Sequence, residues 1–142
     1  MKISDVMTRD VQTVRPDQTA REAASFMLSA DAGAIPVTDG DRLMGMITDR
    51  DIAVRGIAKG CGPDTPVSDL MTNDIVTVGL EDDVHQVAAR MSDAQVRRLP
   101  VVDDQRKLCG IVSLADLARG DNDASAKQAL DGVSQPGGRH QQ

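Results

Sequence analysis

The chain has 142 residues, room for one compact domain or two very small ones, and 40% are hydrophobic, enough for a core. Phe26 is the sole aromatic, so the core falls to aliphatic side chains and seven Met, and there is no platform on which nucleic-acid bases could stack. The net charge of −6 lacks the basic face that binding to a phosphate backbone requires, which excludes a general nucleic-acid partner.

The opening Met1-Lys2-Ile3-Ser4-Asp5 has no apolar stretch of the secretory kind. No apolar run approaches the about 18 residues of a membrane span. A soluble, cytoplasmic protein without a membrane partner is expected.

In chain order, Val11 to Val14 reads as a short strand. Ala20, Ala23, Ala24, Met27 and Leu28 then fall at i, i+3, i+4, i+7 and i+8, the apolar face of a helix that Asp17 or Thr19 could cap. Strands at Ile35–Thr38 and Leu43–Ile47 flank the turn dipeptide Asp39-Gly40, and a helix follows over Asp49–Lys59. The Gly- and Pro-rich stretch 61–66 reads as a linker.

The order β-α-β-β-α then returns. Met7-Thr8 recurs as Met71-Thr72, and Ile35-Pro36-Val37 as Leu99-Pro100-Val101, both 71 − 7 = 64 residues later. Gly45-Met46-Ile47-Thr48 recurs as Gly110-Ile111-Val112-Ser113, now 110 − 45 = 65 residues later. One residue has therefore entered the polar stretch 103–107, where a hairpin loop tolerates it. The second copy predicts strands at Ile75–Val78, Leu99–Val102 and Leu108–Val112. It also predicts a helix with Val84, Val87, Ala88 and Met91 on its apolar face, capped by Asp82 or Asp83, and a last helix at Leu114–Arg119. A three-stranded sheet cannot bury both faces alone, so two repeats packed face to face are expected: repeat 1 over 1–60, repeat 2 over 67–120, and a polar, disordered tail over 121–142 with a short helix around Ala124–Leu130.

Cys61 and Cys109 form no CxxC pair, and the only histidines are His85 and His140, so the four local ligands of a structural zinc site are missing and no metal is expected. Cys109 reads as core and Cys61 as the more exposed and reactive thiol. No Ser-His-Asp set and no Gly-rich phosphate loop is apparent, so no residue is assigned a catalytic role.

The repeated unit resembles the CBS domain, which occurs in tandem as a Bateman module. Val6-Met7-Thr8 with Leu70-Met71-Thr72, the two Pro-Val dyads, and Gly45-Met46-Ile47-Thr48-Asp49-Arg50-Asp51 with Gly110-Ile111-Val112-Ser113-Leu114-Ala115-Asp116 carry the likeness. It covers about Ile3 to Arg119. The stretch Gly45–Pro66 is similar to small stand-alone bacterial CBS pairs, some associated with stress or hypoxic responses. The resemblance implies an α/β (α+β) pseudo-twofold module, a homodimer of two such modules, and a regulatory, non-enzymatic role. It also implies an adenosine-type ligand, AMP, ATP or S-adenosylmethionine, in the cleft between repeats.

Thr48-x-x-Asp51 and Ser113-x-x-Asp116 sit where a strand turns into a helix. A capping box explains that spacing by itself. A helix N-terminus also favours phosphate, whereas a carboxylate there would repel it and accept from ribose hydroxyls instead. The resemblance assigns these roles: Ser or Thr near the phosphate, Asp on the ribose, and basic residues just before the Leu99 strand, here Arg97 and Arg98, on the phosphate. Asp10 to Gln12 and the small residues Gly33 and Ala34 would face the adenine of the Ser113–Asp116–Arg98 site. Thr48 and Asp51 would form the partner site with Asp74 to Val76 and Val96-Arg97, using Arg50 or Arg55 as cation. Ala34 stands where the second copy has Arg98, so one working nucleotide site is expected. The competing reading is a ligand-free structural or stress-signalling dimer, metal- or redox-responsive through Cys61, Cys109 and His85.

Overall fold

The computed structural model describes residues 1–120. The tail and the helix expected near Ala124–Leu130 lie outside them. The elements are α1 (Ala20–Ala30), β1 (Ala34–Asp39), β2 (Arg42–Thr48), a π-helix (Asp51–Gly56), β3 (Val78–Gly79), α2 (Val84–Ala94), β4 (Arg98–Val102), β5 (Leu108–Ser113) and α3 (Leu114–Gly120), with short 3-10 turns between.

Local chemistry sets the boundaries. The Thr19 hydroxyl accepts from Glu22 N to cap α1, and Asp83 accepts from His85 N to cap α2. Asp31 and Gln95 end these helices in the left-handed conformation, at φ 51° and 58°. Gly40 (φ 62°) turns the β1–β2 hairpin. The helix expected over 49–59 forms, but its middle is wound as a π-helix before a 3-10 turn at Ile57–Lys59.

The described residues divide into two compact units: 12–75, called the first unit, and 1–11 together with 76–120, the second. In the first unit β1 and β2 pair antiparallel, and Val14 adds a parallel bridge to Val37. In the second unit β3 pairs parallel with β4, and β4 antiparallel with β5. The expected strands Val11–Val14 and Ile75–Val78 shrink to Val14 alone and to Val78–Gly79, for one physical reason: both straddle the points where the chain leaves one unit for the other, so their first residues have no ladder to join.

Each unit is completed by the first residues of the other repeat. Thr8 and Ile111 exchange N–H···O bonds of 2.8 and 2.9 Å, as Thr72 and Met46 do at 2.8 and 3.0 Å. Thr65 O accepts from Ala20 N, and Met1 O from Val84 N, so these segments also satisfy helix N-termini. The approach is close enough that a Cβ on Gly45 would lie 2.4 Å from Thr72 O, and one on Gly110 2.6 Å from Thr8 O. Only glycine fits there.

The first core gathers Val14, Ala23, Met27, Val37, Ile47 and Leu70; the second gathers Ile3, Val87, Met91, Leu99, Val101 and Leu117. All four expected apolar positions of α2 are buried. On α1 the stripe is narrower than expected: Ala20, Ala23 and Met27 are buried, but Ala24 is exposed and Leu28 is 85% exposed. Residues of small volume at 20 and 23 bring that helix close along a thin seam, and Leu28 falls outside it. Cys61 is half-buried rather than exposed, and Cys109 half-buried against the second core. Among the described residues, no helix is long and apolar enough to cross a membrane.

Candidate functional site

The second unit assembles the Ser113 cluster. Ser113 ends β5 and stands directly opposite Arg98, the first residue of β4. Cross-strand partners point to the same face, so hydroxyl and guanidinium share a surface. Leu114 N donates to Arg97 O at 3.2 Å, which ties the start of α3 to the residue before Arg98. Ser113 N donates to Asp116 Oδ2 at 2.8 Å and Asp116 N to Ser113 Oγ at 3.2 Å. The capping box is therefore formed, and it fixes the orientation of the Asp116 carboxylate, which is 3% exposed. Arg98 is half-buried and Arg97 exposed.

The first unit repeats this construction. Ala34 stands opposite Thr48, and Asp49 N donates to Gly33 O at 3.0 Å. Thr48 N donates to Asp51 Oδ2, and Asp51 N to Thr48 Oγ1, both at 3.0 Å. Asp51 is fully buried, and its Oδ1 has no hydrogen-bond partner. Arg55 Nε lies 3.9 Å from that oxygen, while Arg55 Nη1 donates to Met71 O at 3.2 Å and Leu70 O at 3.4 Å. Burial pushes the Asp51 carboxyl above its ordinary value; the bonds from Thr48 and the Arg55 charge oppose this, and the nearby Asp49 charge adds to it.

Of the remaining expected residues, Asp10 is exposed in the second unit, and Gln12 exposed in the first. Gly33 and Ala34 are half-buried in the first unit. The space beside Gly33 is taken by a side chain: a Cβ there would lie 3.1 Å from Asp49 Oδ2. The sequence reading gave Asp49 no role, although its contrast with Leu114 at the matching position of the second copy was visible. His85 lies exposed on α2. Among the described residues no three His, Cys, Asp or Glu side chains converge as a metal site.

The family description that fits the sequence is the CBS domain, matched at residues 3–55 and 67–123. The CBS domain-containing protein YhcV of Bacillus subtilis is 44% identical over 133 residues, covering 93% of this chain and 94% of that protein. Hypoxic response protein 1 of Mycobacterium tuberculosis is 40% identical over 117 residues, 81% of each chain. A crystal structure of Hypoxic Response Protein I with two coordinated zinc ions matches with a TM-score of 0.77 at 37% identity, covering 86% of this chain and all (100%) of that one. The CBS domain pair of protein MJ0100, in complex with 5-methylthioadenosine and S-adenosyl-L-methionine, matches at 0.73 and 28% identity over 84% of this chain and 94% of that one. CBSX2 in complex with AMP matches at 0.73 and 26% over 83% and 93%.

Proposed function

Since the chain belongs to the CBS-domain family, carrying the domain twice, we propose that it is a non-enzymatic sensor whose second unit binds an adenosine-type nucleotide through Ser113, Asp116 and Arg98. The observation that carries this reading is the β4–β5 register: it sets Arg98 opposite Ser113, one helical turn from a buried, oriented Asp116. The guanidinium, assisted by Arg97, neutralises the phosphate, and the Ser113 hydroxyl donates to it. Asp116 Oδ2 accepts from Ser113 N, which orients the carboxylate that we assign to the ribose hydroxyls. Asp10, in the same unit, belongs to the proposal as an adenine-facing group. The structures of MJ0100 and CBSX2 support the ligand class, since their complexes contain adenosine compounds.

Ligand binding stabilises the state that holds the ligand, and a partner or a second copy reads the shift. Leu28 and Ile57, 85% and 72% exposed, supply apolar surface for that second copy. The relative named Hypoxic response protein 1 supports a stress-linked role.

Thermal denaturation with AMP, ATP and S-adenosylmethionine tests the proposal. Ligand at about 100 times its dissociation constant adds about 2.7 kcal/mol. For a chain of this size that raises Tm by about 8–11 °C. A flat response to all three compounds, with a zinc-dependent rise instead, would replace this reading with the metal-responsive one.

A further inference from the structure

The second unit holds a cavity of about 580 Å³, within the range of pockets that take small ligands. It lies at the other end of the sheet from Arg98 and Ser113. β4 begins at Arg98 and ends at Val102, so the two places are about 13 Å apart along the strand. The cavity opens where the parallel strands β3 and β4 end, with Gly79 paired to Val102. In open α/β sheets ligands collect outside the carboxyl ends of parallel strands. All of the lining belongs to the second unit.

The base of the cavity is apolar: Val78 is buried in the second core, and Leu80 and Val102 are half-buried. The rim is anionic and comes from two segments. Glu81 and Asp82 follow β3, and Asp103 and Asp104 follow β4. Arg90 is the one cation of the lining, and its Nη1 donates to Asp82 Oδ2 at 3.0 Å and to Thr77 O at 3.3 Å. Lys2 pairs with Glu81 at 2.6 Å. Asp103 Oδ1 accepts from Gln105 N and Lys107 N, both at 2.9 Å, which fixes that carboxylate. Arg90 and Lys2 thus answer the charges after β3, and the two carboxylates after β4 keep theirs.

The first copy builds the matching place differently. At 79 − 15 = 64 residues earlier, Arg15 stands for Gly79 and Phe26 for Arg90, and Phe26 packs against the first core. The second copy has a residue without a side chain and an arginine bound to the rim where the first has bulk. Among the described residues no three acidic, His or Cys side chains converge as a metal site. Negative charge spread over two segments, with apolar surface beneath, suits an extended cation better than a point charge.

We propose that this cavity is a second ligand site, separate from the nucleotide site, and that it takes an aliphatic polyamine. The methylene chain lies on Val78, Leu80 and Val102. One ammonium donates to Asp103 and Asp104, and the other to the carboxylates after β3. The site stands whether or not the second unit holds AMP.

Isothermal titration of the full chain at low ionic strength with 1,4-diaminobutane, butylamine and Mg²⁺ tests the proposal. One diamine per chain is expected, bound about fivefold tighter than butylamine or Mg²⁺, the worth of one further exposed charge pair. The double variant Asp103→Asn with Asp104→Asn keeps an amide oxygen for Gln105 N and Lys107 N. It should bind the diamine about fivefold to tenfold more weakly and AMP as the parent does. Arg90→Phe copies the first unit and removes a cation. A merely acidic surface would then hold the diamine more tightly, whereas a filled cavity loses it, and at least about a fivefold loss is expected in a variant whose thermal transition stays cooperative. Mg²⁺ or butylamine binding as tightly as the diamine, or tighter diamine binding by Arg90→Phe, overturns the proposal and leaves the nucleotide reading standing.

Discussion

Asp116 has two roles in this account, and substitutions can part them. Its Oδ2 accepts from Ser113 N at 2.8 Å within the capping box, and the same carboxylate is assigned to the ribose. Asp116→Asn keeps an amide oxygen for Ser113 N and removes the charge. Asp116→Ala removes both, leaving Ser113 N without its acceptor in a half-buried place. The lost bond is to a charged acceptor and is worth about 1.5–3 kcal/mol. At about 3–4 °C per kcal/mol for this length, the alanine variant should melt about 5–12 °C lower, and the asparagine variant, which keeps a neutral bond, by less than half of that. For AMP both variants should weaken binding about tenfold to hundredfold, because a hydrogen bond to a charged acceptor contributes about 1.5–3 kcal/mol. Scanning calorimetry and titration calorimetry on the three proteins measure the two effects separately. An asparagine variant with parental Tm and parental AMP affinity would refute the ribose assignment and leave Asp116 as a helix cap.

Three further outcomes test the frame. Gly45→Ala and Gly110→Ala each drive a Cβ into a carbonyl at 2.4 and 2.6 Å, so each should cost about 2–5 kcal/mol through overpacking and lost backbone bonds, read as a lower urea midpoint. Ile3→Ala should cost about 2–5 kcal/mol despite lying at the N-terminus, since Ile3 is fully buried in the second core; a loss under about 0.5 kcal/mol would argue against that packing. Asp51 makes stability depend on pH. Its folded carboxyl keeps its proton to higher pH than the unfolded one, so its penalty is absent below the unfolded value near pH 4 and grows as pH rises through the folded value. Urea unfolding of Asp51→Asn against the parent should therefore favour the variant more at pH 7 than at pH 4, and an equal difference at both would contradict the shift.

Much of the fold was legible because one pattern is written twice. The paired hairpins follow from the Pro-Val dyads and the Gly45 and Gly110 motifs, and α2 from the spacing of Val84, Val87, Ala88 and Met91. The composition of the units was not legible: that Thr8 pairs with Ile111, and Thr72 with Met46, is a long-range choice that local periodicity does not encode. Leu28 misled for a related reason, because helical spacing gives a face but not the width of the seam that Ala20 and Ala23 allow. At the candidate site, the hydroxyl–carboxylate boxes and Arg98 were readable as motifs. The unpaired Asp51 Oδ1 was not, since it depends on where the π-helix carries Arg55. Asp49 was readable only by comparing the copies position by position.

The central claim is that hydroxyl, carboxylate and guanidinium of the second unit hold a nucleotide. A crystal structure of the chain grown with AMP tests it most directly. The account predicts the phosphate between Arg98 and Ser113, with both ribose hydroxyls on Asp116. Density for AMP elsewhere, with Ser113 and Asp116 left to each other alone, would contradict it.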